Sequence, residues 1–531
     1  MFKAIMDSVE YPTWADDRYK RLDMLDRVLD GTLYDHLEYD FYTETKNNHA
    51  QEYIPIQQRR PSVQSAFAQQ IVGALARKLF SGKHAPRITH DSEEYAAVIR
   101  EVIARGSVFD RMAEAVFFGS VGAVGITFRI VDNALNLDVW RPKYCHPVFN
   151  ASGGLASLRV CYTVGGREAR SVFSPRGVTK DSEGEELDDS DSYWFIREFT
   201  DNAEVTYMPY PSDEWNPVEY GWDLEPAFEV HHGLGFVPGV WIENMPGGIG
   251  VDGRSSFSPI VNNIIEMDYT ISQLGRGIRY SAAPQLVVIG DTDVQDVRRG
   301  PTTVIRLKAA YADDGQKYGA ADAKLLEMVG NGTQVGLNYI QELRRITFEA
   351  MAASVKKSDM KVNVSGRAME ISDDAFYDFA NMLRNSYGDG GLVPLMSKVM
   401  LAFKRTGMMP LAVGDDEITA FGLRWPKLYP STPADDLQMV ESLVMAVQNG
   451  LMEMEVAQSF LHAQMDLEDY RVPTPPQVGG TSNADAPSAG DATVKDDVYN
   501  EGVTIDPRRP GTQGTSLPKR RRVGGKKTVI E

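Results

Sequence analysis

The residues with the clearest capacity for chemistry in this sequence are three lysines in one short segment. Lys356, Lys357 and Lys361 lie in the stretch VKKSDMKVNVSG, between two segments with helical apolar periodicity. Ammonium groups attract phosphates, and a loop with little apolar content suits transient contact. The stretch therefore predicts a local phosphate-contacting loop at residues 355–366.

Four arginines in the flanking helical segments are further candidates: Arg276 and Arg279 in the first segment, and Arg344 and Arg345 in the second. One interpretation makes them channel or subunit-contact residues. The other makes them simply a solvated helix face, or partners for Glu and Asp across a subunit contact. The residue types leave both interpretations open.

Patterns for catalysis or metal binding are weaker. The phosphate cradle GxxxxGK[ST] does not occur, and the glycine runs GSVGAVG and GGIGVDG favour turns and close backbone packing. His231 and His232 are adjacent, as are Cys145 and His146, so on a strand each pair points to opposite faces. We expect no enzyme activity, no cofactor and no metal site.

Composition limits the classes of function. The chain has 531 residues, a formal net charge of -19 and a pI near 5.0, which argues against a protein that coats nucleic acid over its whole surface. Cys145 and Cys161 suit reduced thiols in a cytoplasmic setting, with a strand-to-strand disulfide as the alternative. The N-terminus lacks a signal-peptide pattern and no apolar run reaches membrane-spanning length, so we expect no membrane span.

The N-terminal half predicts helices followed by a sheet. A four-residue apolar repeat predicts a helix that ends before SGKHAP, with the members Val63, Phe67, Ile71, Leu75 and Leu79. Short β-type runs between residues 120 and 240, such as VGITFRI and LRVCYTV, predict a mostly antiparallel sheet. The acidic stretch KDSEGEELDDSDS is interpreted as a solvated loop.

Two central segments share apolar steps of four and three residues, which predicts helices that pack side by side. The first helix is expected from about Ser258, its N-cap, to Tyr280, with Pro284 stopping it. Its seam consists of Ile260, Ile264, Met267, Ile271, Leu274 and Ile278. The second begins near Gln334, and its seam consists of Tyr339, Leu343, Ile346, Ala350 and Ala353. A small α+β insert lies between the two helices.

The C-terminal part predicts a helical tract with a kink or break at GDGG and Pro394, then a strand over EITAFGLRWPKLYP. Two helices follow, with Asn449-Gly450 as the turn. Beyond about residue 470 the composition predicts disorder, and PKRRRVGGKK adds a basic end. That end resembles a nuclear-import signal, but we favour a solvated arm or a weak nucleic-acid contact.

The order of these elements resembles that of the portal proteins of tailed bacteriophages, over about residues 60–470. The passages that carry the resemblance are SVQSAFAQQIVGALARKLFSGK, the segment FGSVGAVGITFRIVDNALNLDVWRPKYCHPVFN, the strand, turn and helix in HHGLGFVPGVWIENMPGGIGVDGRSSFSPIVNNIIEMDYTISQLGRGIRYSAAPQLVVIG, VSGRAMEI, and RWPKLYPSTPADDLQMVESLVMAVQNGLMEMEVAQSF. No single motif is diagnostic, because the specificity lies in their succession. The acidic loop near 180–190 and the basic end have no firm counterpart in the family.

The resemblance implies an α+β fold with a wing of helices and antiparallel sheet, paired stem helices, a small α+β clip, a long kinked helix and a helical crown. Its implied boundaries are wing 1–255, first stem helix 256–282, clip 283–333, second stem helix 334–354, tunnel loop 355–366, long helix and returning wing strand 367–430, crown 431–470 and disordered tail 471–531.

The resemblance also implies a function without catalysis. Family members form rings, usually of twelve subunits, at one capsid vertex, and double-stranded DNA is packaged through the ring by a terminase and later ejected. The implied partners are further copies of the chain, double-stranded DNA, the large terminase subunit, head-completion or tail adaptor proteins, and the major capsid and scaffolding proteins. The implied location is the virion, with host cytoplasm during assembly. The alternatives are a capsid-associated DNA-processing enzyme, such as a nuclease or ring ATPase, and a non-channel adaptor or scaffold.

Overall fold

The computed structural model of the chain describes residues 1–131, 134–212, 222, 224–282, 285–289, 322–326, 331–350, 374–408, 414–428 and 433–465. Residue contacts divide the chain into two units, 1–461 and 462–531. Of the second unit, only residues 462–465 are described.

Helices occur along most of the described chain, and their ends follow local signals. The Asp16 carboxylate caps the second helix by accepting a hydrogen bond from Tyr19 N at 2.6 Å, and Gly31 ends that helix with a φ of 76°. The helices are α1 (Phe2–Asp7), α2 (Asp17–Asp30), α3 (Phe67–Phe80), α4 (Glu93–Arg105), α5 (Val108–Gly119), α6 (Gly166–Phe173), α7 (Val261–Ala282), α8 (Asn331–Ala350), α9 (Asp374–Arg384), α10 (Val393–Arg405), α11 (Asp415–Thr419), α12 (Pro433–Gln448) and α13 (Met454–Met465).

Strands concentrate between residues 123 and 243. They are β1 (Tyr39–Asp40), β2 (Arg59–Arg60), β3 (Arg87–Thr89), β4 (Ala123–Val131), β5 (Ala134–Trp140), β6 (Cys145–Phe149), β7 (Leu155–Gly165), β8 (Ser192–Phe199), β9 (Ala203–Tyr207), β10 (Tyr210–Pro211), β11 (Pro226–His231), β12 (Gly239–Glu243), β13 (Gln285–Ile289), β14 (Asp322–Leu326) and β15 (Gly422–Arg424).

Two antiparallel sheets dominate. The larger has the order β11-β9-β8-β7-β6, with β10 also paired to β8, and the smaller has the order β12-β4-β5. Strands β13 and β14 form a separate antiparallel pair, as do β3 and β15, whereas β1 and β2 are parallel. The prediction of a mixed helix and sheet chain with antiparallel sheets is confirmed.

One apolar core joins the N-terminal helices, the smaller sheet and the central helices. Its fully buried members include Leu22 on α2, Ile126 on β4, Ile265 on α7 and Val399 on α10. Because these residues are far apart in sequence, the core fixes α7 against the sheet and the N-terminal helices.

Most predicted elements are present, and two N-terminal expectations need correction. The repeat through Phe67 and Leu79 forms α3, but Val63 lies before the helix and is 43% exposed. The acidic stretch is not simply a solvated loop, because Leu187 and Asp181 are buried and Asp181 Oδ1 accepts hydrogen bonds from the backbone N–H groups of Glu183 and Glu185. The loop is folded against the larger sheet through Leu187.

The glycine-rich tract around residue 390 is not broken. Residues Asn385–Leu392 form a π-helix that joins α9 to α10 without an interruption, and Pro394 lies in the first turn of α10. A Cβ at Gly388 would lie 2.8 Å from the Trp425 ring, and one at Gly391 would lie 2.5 Å from Ile242. These glycines therefore allow close packing rather than ending the helix.

The predicted strand at 417–430 is mostly wrong. Residues Asp415–Thr419 form the short helix α11, and of the described residues 417–428 only Gly422–Arg424 form a strand, which pairs with β3. The two helices predicted after it are confirmed as α12 and α13, with Gly450 in the left-handed conformation between them.

Both cysteines carry free thiols. Cys145 lies opposite Val160 on the neighbouring strand, so Cys161, the next residue, points to the other face of the sheet. Burial raises the pKa of both thiols, that of Cys161 to about 12. The prediction of reduced thiols is confirmed, and the alternative of a disulfide is wrong.

Candidate functional site

The helix pair α7–α8 is the candidate site, because the predicted seam and the four candidate arginines lie on it. The two helices contact each other, as predicted. A short 3-10 turn, Ser258–Ile260, precedes α7, so the predicted N-cap Ser258 lies in this turn rather than at the start of the α-helix. The helix ends at Ala282, in agreement with the predicted stop near Pro284.

The predicted seam of α7 changes character along the helix. Ile260, Ile264 and Met267 are at most 5% exposed and belong to the main core of their own chain. Ile271 and Leu274 are half-buried, and Ile278 is 51% exposed. The first half of α7 is therefore anchored in the body, and the second half projects toward solvent.

A buried polar cluster, which the sequence reasoning missed, fixes α7 to the N-terminal region. Asp268 is 3% exposed, and its carboxyl accepts hydrogen bonds from Tyr34 Oη at 3.0 Å and from Ser65 N at 2.8 Å. Ser272 Oγ donates to Asp268 O at 2.8 Å and accepts from Val63 N at 3.1 Å. Burial raises the pKa of the Asp268 carboxyl, and the Ser65 hydrogen bond opposes that rise.

The turn that leads into α7 has an ionic anchor. Asp252, in GGIGVDG, is 3% exposed and lies 2.7 Å from Arg18 and 2.9 Å from Arg21, both on α2. A Cβ at Gly248 would overlap the backbone at Asp252. The predicted role of this glycine run in close backbone packing is confirmed, and its aspartate attaches the start of α7 to α2.

The seam predicted for α8 is wrong at three of its four described members, and at Tyr339 and Ile346 the inward residue is the next one along the chain. Tyr339 and Ile346 are 46% and 42% exposed, Ala350 is exposed, and Ala353 lies outside the described residues. Of the predicted set, only Leu343 packs against the core. The inward residues of α8 are Gly336, Ile340, Leu343, Thr347 and Phe348.

Close packing holds the inward side of α8. A Cβ at Gly336 would lie 2.5 Å from the Leu274 side chain on α7, so glycine permits the two helices to approach. At the other end of α8, the ring of Phe348 packs edge-on against Phe67 at 4.9 Å. The exposed apolar residues Val335, Tyr339 and Ile346 lie on another face of α8, about 105° around the helix from the centre of the inward side, at spacings of four and seven residues, and we call them the α8 ridge.

A second exposed apolar surface lies beside α7, formed by Tyr42 and Val63, and we call it the Tyr42 patch. These residues are 41% and 43% exposed, and Tyr42 Oη donates to Ser62 Oγ at 3.4 Å. The patch and α8 are on different sides of α7: Ser272 faces Val63, whereas Leu274, which faces α8, lies about 120–160° around the helix from Asp268, Ser272 and Arg279 at 100° per residue. Helix α7 thus separates the α8 ridge from the Tyr42 patch.

All four candidate arginines have contacts within the chain. Arg276 contacts Glu44, and Arg279 lies 4.7 Å from the Tyr42 ring centre. Arg344 lies 5.8 Å from the Phe67 ring, and Arg345 Nε donates to Glu342 Oε2 at 2.9 Å. These contacts lie within one chain, and a role of the arginines at a channel or subunit contact stays a prediction.

Other predicted residues lie apart from the helix pair or outside the described residues. Lys356, Lys357 and Lys361, with the rest of 355–366, are not among the described residues, and neither is the basic C-terminal end. His232 Nδ1 accepts a hydrogen bond from Leu234 N, two residues further along the chain, at 3.1 Å. Across the described ranges, no group of three or more His, Cys, Asp or Glu is arranged to hold a metal ion.

Comparison with known proteins adds no assignment. No protein-family model matches the chain, and no curated protein matches it in sequence. Among the helices that the structure describes, none combines the length and apolarity needed to cross a membrane.

Proposed function

We propose that this chain is the subunit of a ring-shaped channel of the portal type, through which double-stranded DNA is packaged into a capsid and later ejected. The resemblance in the order of elements supports this proposal. The observation that carries it is the pair of exposed apolar surfaces on different sides of α7, the α8 ridge and the Tyr42 patch.

A subunit with two different apolar surfaces, one on each side of α7, is suited to a head-to-tail contact with its neighbours. The α8 ridge of one copy would pack on the Tyr42 patch of the next, and repetition of this contact closes a ring when its rotation divides a full turn evenly, without a rise along the axis. The seam residues Ile260, Ile264 and Met267 cannot supply this contact, because they are buried in their own chain. The lateral contact is therefore assigned to the ridge and the patch rather than to the seam.

Electrostatics are compatible with passage of DNA. Arg276 contacts Glu44 and Arg345 pairs with Glu342, so two of the four arginines on α7 and α8 are neutralised, and the chain as a whole carries a net charge of -19. An extended basic wall would hold phosphates and slow translocation. In a ring, Lys356, Lys357 and Lys361 would form a collar of positive charge, which suits brief contact with DNA.

The finer assignments belong to the same proposal. The wing would comprise residues 1–255 with the returning strand near 422–424, and the stem would comprise α7 and α8. The β13–β14 pair would belong to the clip at 283–333, and α12 and α13 to the crown at 431–470. Terminase, head-completion or tail adaptors, the major capsid protein and scaffolding protein would be the partners, with the virion as final location.

The test is assembly of the purified full chain, measured by analytical ultracentrifugation and negative-stain electron microscopy. We expect rings with a central hole for the natural sequence and monomers for Tyr339→Glu/Ile346→Glu, because a buried charge in a lateral contact is costly. The matched control is Val148→Glu/Val230→Glu, which changes two exposed apolar residues on strands β6 and β11.

The control should form rings like the natural sequence, and all three proteins should share one thermal unfolding midpoint when unassembled. Solitary particles from the natural sequence would contradict the ring. Rings that persist in Tyr339→Glu/Ile346→Glu would show that the lateral contact lies elsewhere.

A further inference from the structure

The C-terminal helices α12 and α13 expose an unusual amount of apolar surface. Between residues 436 and 461, Ala457 alone is fully buried. The exposed fractions of the large apolar side chains lie between 45% and 61% for Leu437, Val444, Met445, Met454, Val456 and Phe460. A surface of this kind marks an interaction site.

The exposed residues follow helical faces. On α12, Leu437, Glu441, Val444 and Met445 occur at positions i, i+4, i+7 and i+8, which places them on one side of the helix. On α13, Val456 and Phe460 are four residues apart. The α12 face extends over residues 437–445, about 12 Å at 1.5 Å per residue, and exposed apolar faces of this kind are recognised by amphipathic helices.

The charges on this surface have one sign. Residues 433–465 contain five carboxylates and no lysine or arginine, so their formal charge is -5 with histidine neutral. The carboxylates are Asp435, Asp436, Glu441, Glu453 and Glu455. Two copies of this surface facing each other would repel, whereas a partner with positive charges beside its apolar face would be attracted.

Methionine is frequent in the same segment. Five of its 33 residues are methionine: Met439, Met445, Met452, Met454 and Met465. Methionine side chains are unbranched and adaptable, and they serve surfaces that accept helices of varied sequence. The combination of adaptable apolar side chains and acidic charge distinguishes this surface from the α8 ridge, where Arg345 neutralises Glu342.

We propose that α12 and α13 form a docking site for a basic amphipathic helix of a partner protein. The partner helix places its apolar face on Met445 and Phe460 and its lysines or arginines beside Glu441, Glu453 and Glu455. This site does not depend on ring closure, because it uses none of the residues assigned to the lateral contact.

The experiment measures binding of a fluorescent 18-residue leucine–lysine amphipathic helix to the full chain by anisotropy, at physiological ionic strength. The matched probe has glutamate at every lysine position and the same leucine face. We expect saturable binding of the lysine probe with one site per chain, at least tenfold tighter than binding of the glutamate probe.

Variants separate this site from general attraction to an acidic protein. Glu441→Gln/Glu453→Gln/Glu455→Gln should weaken binding of the lysine probe at least tenfold, and so should Met445→Ser/Phe460→Ser. The matched charge control is Glu93→Gln/Glu94→Gln/Glu101→Gln on α4, and the matched apolar control is Val148→Ser/Val230→Ser; each should change the affinity less than twofold.

Three results would overturn the proposal. Equal loss of binding in the α4 control would show non-specific attraction, and equal affinity for the two probes would remove the charge argument. Loss of assembly in Met445→Ser/Phe460→Ser with unchanged probe affinity would show that a second copy covers the surface. Ring formation tested with the α8 ridge variants is a separate measurement, so either proposal can fail alone.

Discussion

Helices α7 and α8 contact each other, yet the chain uses them differently. The first half of α7 is built into the core, with Ile264 and Asp268 both at most 5% exposed. Helix α8 rests on α7 through one face and leaves Ile346, on another face, 42% exposed. The difference shows how a projecting helix pair can be rigid at its base and still offer an apolar surface to another molecule.

The largest expected effect is on the free energy of unfolding, in a comparison of one isoleucine from each helix. Ile264→Ala removes a buried side chain from the core, and we expect it to lower the free energy of unfolding by about 2–5 kcal/mol. Ile346→Ala removes an exposed side chain, and we expect a change within about 0.5 kcal/mol. Chemical denaturation of the unassembled chain, at low protein concentration, measures both.

The same pair should show the reverse order in assembly. Ile346→Ala should weaken ring formation more than Ile264→Ala does at equal fractions of folded protein, measured by ultracentrifugation. If the two variants destabilised the chain equally, α8 would be as much a part of the core as α7, and the comparison would be wrong.

A smaller effect concerns pH, and it depends on the buried carboxyl of Asp268. Burial raises its pKa in the folded chain, so between the unfolded and folded pKa values the folded state binds more protons and loses stability as pH rises. Asparagine resembles the protonated acid and does not titrate. The stability of the natural chain minus that of Asp268→Asn should therefore decrease as pH rises above the usual aspartate range.

An exposed aspartate supplies the control for this pH series. Hydrogen bonds from Ser190 lower the pKa of Asp188, so the corresponding difference for Asp188→Asn should increase as pH rises through the range just below the usual value. Denaturant unfolding at several pH values gives both differences. An increase for Asp268 would mean that its hydrogen bonds stabilise the carboxylate more than burial disfavours it.

The sequence predicts where these helices begin and end better than it predicts which of their residues are buried. A four-and-three repeat specifies an apolar side, but residues such as Ile264 in the core and Ile346 at the surface satisfy the same repeat. On α8 the inward side contains Gly336 and Thr347, which an apolar pattern does not select. The packing of Gly336 depends on Leu274, 62 positions earlier, which periodicity cannot reveal.

The buried polar residues were missed for a related reason. Asp268 and Ser272 are four residues apart on a helix that also contains polar residues such as Glu266, so the sequence of the helix does not single them out. Their partners Tyr34 and Ser65 are about 200 or more positions earlier in the chain, so a single sequence does not connect them. The strand predicted at 417–430 is wrong for a different, local reason. Asp415, Asp416 and Glu417 suit the first turn of a helix, and a short helix forms there instead.

The smallest effect should come from the exposed ions of α8. Arg345 bridges Glu342 and Glu349 on the surface of the helix, where water screens the pairs and the long side chains lose conformational freedom. Arg345→Ala should therefore leave the thermal unfolding midpoint of the unassembled chain unchanged within error, in contrast to Ile264→Ala. A fall as large as that of Ile264→Ala would mean that surface charge holds α8 in place. Both helices would then be fixed to the body of the chain, α7 by buried apolar contacts and α8 by surface ion pairs.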